Sequence, residues 1–263
     1  MSERIDHRLD VDGPVATITL DRPGAYNAVT RAMLRSLQAT LRDVGGDPAV
    51  RALVITGAGK GFCAGQALDD ADTIHPGGAA DLYNAVVEGF NPVIAAIIML
   101  EKPVIAAVNG VAAGAGFGIA LACDLRVVAQ TAVFTTAFAK IGLVPDSGVS
   151  LLLPRIVGYA RALELCLLSG KIDAPAAQAL GLVTELVPAA DVVGRAQALA
   201  AQLAAGPRAL GLIKRELVRN ALGDIAAALA YEAEMQSIAG ETADAHEGIA
   251  AFSAKRAPIF AGR

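Results

Sequence analysis

The chain has no tryptophan, and only three cysteines and three histidines among its 263 residues. Cys63, Cys123 and Cys166 are widely spaced and form no C-x-x-C pair. A disulfide framework is therefore not expected, and free thiols in a reducing cytoplasm are. His7, His75 and His246 are scattered and match no metal-ligand spacing. Aromatic residues make up 4% of the chain and charged residues 18%. Basic residues number 22 against 26 acidic ones, a formal charge of −4, and phosphate binding needs a basic face. Nucleic acid is thus not an expected partner. Residues 1–12 are charged and lack an apolar core, so no secretory leader is expected. No uninterrupted apolar run approaches the ~20 residues of a spanning helix, so no membrane partner is expected.

What the chain has in quantity is small and apolar: 54% hydrophobic residues and 27 glycines. The stretch from Lys102 to Asp124 concentrates both. Val104–Val108 is an apolar run opened by Pro103, the signature of a buried strand. Asn109-Gly110 breaks it, and from Gly114 the residues suit a buried helix. A strand, a glycine-rich turn and a helix start put unpaired N–H groups at the positive end of a helix dipole. Two readings stand: bare glycines at 114 and 116 admit a ligand oxygen to those amides, or they let helix and strand pack closely.

Taken in order, Val15–Leu20 alternates as a first strand and Asp21-Arg22-Pro23-Gly24 ends it. Thr30 is placed to cap a helix with Met33, Leu34, Leu37, Leu41 and Val44 on one face, stopped by Gly45-Gly46. Arg51–Thr56 reads as the next strand and Gly57–Leu68 as a glycine-rich loop. Asp69–Ala79 reads as a mobile acidic loop. Asp81–Leu100 reads as a helix kinked at Pro92. Strands are expected at 125–129, 132–134 and 182–187, a loop at 140–148, and helices at 149–157, 160–168 and 174–180. From Asp191 nearly everything is helical, with breaks at Gly206-Pro207, Gly223 and Gly240. The expectation is an α/β core over 1–190 and a helical region over 191–263.

Several motifs fail. Gly114-x-Gly116-x-Gly118 is not G-x-G-x-x-G, and the following strand ends without an acidic residue for a ribose, so NAD is not expected. No Ser or Thr follows Lys60, as a phosphate loop requires. Ser147 and Ser150 lack a G-x-S-x-G setting. What remains is geometric. Strands ending at Thr56 and Asn109 both lead into glycine-rich turns, where open α/β sheets bind ligands. One amide from each turn, aimed at one oxygen, makes an oxyanion hole worth ~3–4 kcal/mol per donor in a dry site. A third loop, Ile141–Gly148, offers Asp146 among apolar neighbours, where desolvation raises a carboxyl pKa. The same residue type in that place also suits a helix cap.

At these loops the sequence resembles the crotonase (enoyl-CoA hydratase/isomerase) superfamily. The stretches that carry the resemblance are Leu20–Asn27, Ile55–Gln66, Lys102–Gly110, Gly142–Asp146, Leu167–Gly170, Ala179–Val183 and Phe252–Arg256. The resemblance implies a spiral of ββα units, a C-terminal helical trimerisation region over 191–263, and a homotrimer or dimer of trimers. It implies an acyl-CoA thioester as substrate, with coenzyme A brought in by the substrate and no separate cofactor. It gives the oxyanion donors as the backbone N–H groups of Gln66 and Ala115. Arg22, Gly24, Ala25 and Tyr26 fall where the family holds pantetheine and phosphates, and Ala64 and Leu68 where it lines that channel. Gly65, Gly114 and Phe138 count among the substrate-binding positions, and Phe252 and Lys255 match residues that reach a neighbouring subunit's CoA. Ala67 departs from the usual Asp of the family. Hydration there uses two glutamates, whose positions here hold Gly118 and Phe138. Asp146 matches the aspartate of the isomerase branches. The resemblance therefore favours an isomerase with one acid/base carboxylate. The alternatives are a hydratase drawing on Asp69, Asp70 or Asp72, and an acyl-CoA binder without chemistry.

Overall fold

Strands β1 (His7–Asp12) and β2 (Val15–Leu20) pair antiparallel at the start of the computed structural model, which describes residues 6–68 and 82–261. β1 is an addition to the sequence reading. Its apolar residues Leu9 and Val11 are exposed, so it carries no buried alternation to reveal it. β2 is buried along its whole length, on both faces. Thr17 on β2 is reached by Gln197 Nε2 at 3.2 Å, from a helix lying over the sheet.

Thr30 caps helix Arg31–Gly46 by accepting from the Met33 N–H, and the five apolar residues expected on its inner face are buried. β3 (Ala52–Gly57) then runs parallel to β2. The stretch read as a continuous loop holds a further strand, β4 (Gly61–Cys63). After helix Leu82–Met99 come β5 (Val104–Val108), β6 (Val111–Ala113) and helix Ala115–Ala122. β7 (Leu125–Ala129) and β8 (Val133–Thr135) follow. β9 (Ile172–Asp173) and β10 (Glu185–Val187) come after helices Val149–Val157 and Tyr159–Leu168. β10 is half the length expected, since residues 182–184 stay outside it.

Two sheets result, ordered β1-β2-β3-β5-β7-β10 and β4-β6-β8-β9. Each pair β3-β4, β5-β6 and β7-β8 gives one strand to each sheet before the chain turns into helix. That is the repeating ββα unit of an α/β spiral. Helix Val192–Ala204 lies against β2, β3, β5 and β7. Helices Ala209–Leu222, Ile225–Gly240 and Ala243–Ser253 complete the chain.

The helix expected to kink at Pro92 widens just before that residue. Residues Ala85–Phe90 form a π-helical turn just before it, and Pro92 sits in the first turn of the α-helical part. Proline gives no N–H to the carbonyl four residues back. Gln38 Nε2 takes over that carbonyl, donating to Glu88 O at 2.9 Å. Over 18 residues this helix has a mean hydropathy of 1.5, apolar and long enough to cross a membrane by those measures. It is instead packed in the core, against helices Arg31–Gly46 and Ala115–Ala122, with Phe90, Val93, Ile94 and Ile97 buried.

Candidate active site

β4 and β6 are parallel neighbours, with Cys63 opposite Ala112, so the turns leaving their carboxyl ends meet. Gly65 makes that meeting close. It sits at φ +94°, and a methyl there would lie 2.9 Å from Ala113 O and 3.3 Å from Ala115 N. Gly116 serves packing alone: its missing side chain lets helix Ala115–Ala122 rest on the Cys63 backbone. The ligand-access reading therefore leaves Gly116 and stays with Gly114, which turns at φ +53° to start the helix and lines the cavity.

Gln66 forms a parallel bridge with Val29, carried by Val29 N to Gly65 O (2.7 Å) and Ala67 N to Val29 O (2.9 Å). In that pattern the N–H of Gln66 itself faces away from Val29. Ala115 is the first residue of its helix, where an N–H has no acceptor within the helix. Both residues line a cavity of about 200 Å³. Ala67, which stands where the resemblance expects an Asp, is buried and its N–H is bonded to Val29 O.

Asp146 lines the same cavity and is 3% exposed. Ser147, at φ 54°, turns its hydroxyl back to donate to Asp146 Oδ1 at 2.7 Å. Gln236 Nε2 donates to Oδ2, also at 2.7 Å. Burial pushes the Asp146 carboxyl from 3.8 up to about 7; the neighbouring Glu232 charge adds to the rise and the two hydrogen bonds oppose it. The side chain is not a helix cap, which corrects that expectation. Glu232 serves the start of helix Val149–Val157, accepting from Gly148 N (2.7 Å) and Ser150 N (3.0 Å).

Of the residues expected at the site, Ala64, Gly65, Gln66, Leu68, Gly114, Ala115, Phe138, Asp146 and Phe252 line this one cavity. Phe252 does so from its own chain. Arg22, Gly24, Ala25, Tyr26 and Lys255 stand outside the lining. Arg22 donates to Ala28 O at 2.6 Å and faces Asp6 at 3.5 Å, so its guanidinium braces its own turn. Gly24, Ala25, Tyr26 and Lys255 are exposed. The 22–26 turn still adjoins the cavity wall, because Tyr26 O accepts from Ala64 N at 2.9 Å. Asp69, Asp70 and Asp72 lie outside the described residues.

Position 118 explains itself. A methyl on Gly118 would overlap the carbonyl oxygen of Ser147 and lie 2.9 Å from its Cβ. Position 138 carries a buried phenyl ring on the cavity wall. Asp146 is thus the one carboxylate among the described lining residues. Sequence reasoning missed Ser147, Glu232 and Gln236, and also Lys140, Ile141 and Leu143 on the wall. A signal for two of them was present. Glu232 and Gln236 are polar residues one turn apart on the helical stripe that also carries Leu229 and Ala233.

The cavity thus brings the backbone at Gln66 and Ala115 and the buried Asp146 carboxyl to one place. The family model described as Enoyl-CoA hydratase/isomerase matches residues 10–263. The chain is 42% identical over 254 residues to a 1,2-epoxyphenylacetyl-CoA isomerase of Escherichia coli K12, covering 96% of this chain and 97% of that protein. It is 43% identical over 260 residues to a probable enoyl-CoA hydratase of Rhodobacter capsulatus, covering 97% and 98%. Among solved structures, an enoyl-CoA hydratase from Mycobacterium avium subsp. paratuberculosis superposes with a TM-score of 0.88 at 33% identity, covering 97% of this chain and 98% of that one. The chain belongs to the enoyl-CoA hydratase/isomerase (crotonase) family.

Proposed function

We propose that this enzyme is an acyl-CoA isomerase that moves a double bond, or opens an epoxide, next to a CoA thioester. The observation that carries the reading is the lone carboxyl: Asp146 lines the cavity with its pKa raised to about 7, while 118 and 138 hold glycine and phenylalanine. The isomerase relative from Escherichia coli supports it.

In this mechanism the thioester oxygen accepts from the N–H groups of Gln66 and Ala115. Their dipoles stabilise the negative charge that develops when a proton leaves the carbon beside the carbonyl. Asp146, ionised, takes that proton and becomes the acid that returns it to a more distant carbon of the same enolate. One group serves both steps because a pKa near the working pH populates both of its forms. Coenzyme A enters with the substrate. The active unit is taken to be a homotrimer or a dimer of trimers, which light scattering reads directly.

Asp146→Asn tests the reading. It is expected to abolish isomerisation of a 3-enoyl-CoA while CoA-ester binding survives, and undiminished turnover removes Asp146 from the mechanism. The hydratase reading has its own support in the relative from Rhodobacter capsulatus. It predicts hydration of crotonyl-CoA at ordinary enzyme rates, where the isomerase reading predicts little. Tight binding with no turnover across 2-enoyl, 3-enoyl and aromatic-epoxide esters would instead mark a binder.

A further inference from the structure

Helix Ile225–Gly240 is rich in alanine, yet it buries two polar side chains one turn apart. Glu232 Oε1 accepts from the Ser150 hydroxyl at 2.5 Å as well as from Ser150 N, and Oε2 accepts from Gly148 N. Gln236 donates to Asp146 Oδ2, and its Oε1 accepts from Val144 N at 3.1 Å. The loop carrying Asp146 is therefore gripped on both sides of that residue by one helix. We propose that Glu232 and Gln236 are positioning residues for Asp146 that act on its proton in opposite senses. Gln236 favours the carboxylate by donating to it, and Glu232 favours the protonated acid by holding a negative charge at the adjoining helix start.

The donor count decides which carboxyl carries the charge. Glu232 accepts from two backbone N–H groups and a hydroxyl, Asp146 from a hydroxyl and an amide. Burial raises the Glu232 carboxyl too, and its hydrogen bonds oppose that rise. Hydrogen bonds to the charged form favour it, so of the two coupled acids Glu232, with the larger donor set, is the anion and Asp146 keeps the exchangeable proton. The remaining charged groups stand on the other elements packed nearby: Glu88 on helix Leu82–Met99 is exposed, and Lys140 is on the cavity wall. Helix Ala115–Ala122 has no charged residue. Arg155, on helix Val149–Val157, is bonded to the carbonyls of Leu151 and Ala221. Lys140 on the 138–141 turn is exposed, and so is His246 on helix Ala243–Ser253; Asp244 and Glu247 lie half-buried on that helix. The Glu247 carboxyl is paired with Arg256.

This inference rests on the isomerase reading of Asp146, and two measurements separate their failures. The first is the pH profile of kcat/KM for a 3-enoyl-CoA. Its acid limb is expected to move down by roughly one pH unit in Glu232→Gln and up by a similar amount in Gln236→Leu, with Gln236→Met used where Leu does not fold. A merely structural role lowers the rate without moving the limb. The second needs no turnover: the pH dependence of urea stability, each variant against the same variant carrying Asp146→Asn, reports the Asp146 titration directly. Limbs and titrations that stay put, or move the same way in both variants, overturn the proposal. If Asp146→Asn turns over normally, the isomerase reading falls, while the stability titration still decides whether Glu232 and Gln236 tune the carboxyl.

Discussion

Asp146→Asn separates what this carboxyl does for chemistry from what it costs the fold. Asparagine keeps the side-chain shape and an oxygen for Gln236 Nε2, loses the titrating group, and puts an NH2 toward the Ser147 hydroxyl, which must turn to accept from it. In the unfolded chain the carboxyl titrates at its ordinary 3.8, and burial in the native state moves it to about 7. Below the unfolded value both states are protonated and the full contribution to stability is present. As pH rises through that window, the unfolded chain releases a proton that the folded chain retains. Stability therefore falls, at up to about 1.36 kcal/mol per pH unit, and levels off above the native value. The whole span amounts to about 4 kcal/mol, as an order of magnitude. The variant escapes this loss. Its stability relative to the native chain is expected to climb by about 1 kcal/mol per unit between roughly pH 5 and pH 7, then hold steady. Urea unfolding followed by circular dichroism, at one protomer concentration and with matched slopes, measures the difference. A difference that does not change with pH refutes a strongly raised Asp146 pKa, and with it the poised acid/base.

Three further outcomes follow from contacts already described. Gly65→Ala forces a side chain into positive φ with its Cβ 2.9 Å from Ala113 O, pushing the two amide donors apart; kcat is expected to fall about 10²–10³-fold in a steady-state assay, as for loss of one oxyanion donor. Gly118→Ala drives a methyl into the Ser147 carbonyl, and chemical denaturation is expected to register about 1–3 kcal/mol of lost stability. Lys214→Met removes the ammonium that sits 2.9 Å from Asp124 Oδ2 and leaves a half-buried carboxylate. A loss of about 3 kcal/mol is expected at neutral pH. Burial already raises the Asp124 pKa, so this deficit should shrink in acid as the lone carboxylate takes up a proton.

The parts legible in the sequence are those whose pattern is local. Helix Arg31–Gly46 announces itself through Thr30 and its apolar stripe, and β5 through an unbroken apolar run. β4 and β6 are three residues each and exist because they pair with each other across some fifty residues of chain, which no window around either reveals. The apolar company of Asp146 correctly suggested a desolvated acid, but the cap assigned to it belongs to Glu232, 84 residues on from Gly148. Likewise the hydrogen bond from Gln236 spans 90 residues. Local pattern also cannot choose which two turns meet. The family resemblance named Gln66 and Ala115, and Gly65 supplies the physical reason they are neighbours.

On the isomerase reading proposed above, the division between moving a double bond and adding water comes down to a packing conflict. A second catalytic acid at 118 needs room for a side chain, and that room is filled by the turn whose next residue back is Asp146. The nearest atom is the Ser147 carbonyl oxygen, part of the backbone, so trimming the serine side chain does not clear the way. The same Ser147 holds Asp146 Oδ1, and Phe138 closes the other glutamate position with apolar surface. The turn that carries Asp146 and the Phe138 ring thus fill the two places where the family resemblance puts the hydratase glutamates. Gly118→Glu combined with Ser147→Gly is accordingly expected to gain no hydration of crotonyl-CoA, even where the doubly substituted chain folds by circular dichroism. Hydration at ordinary enzyme rates by that variant would show that the backbone at 146–148 moves aside, and that packing is not what separates the two reactions.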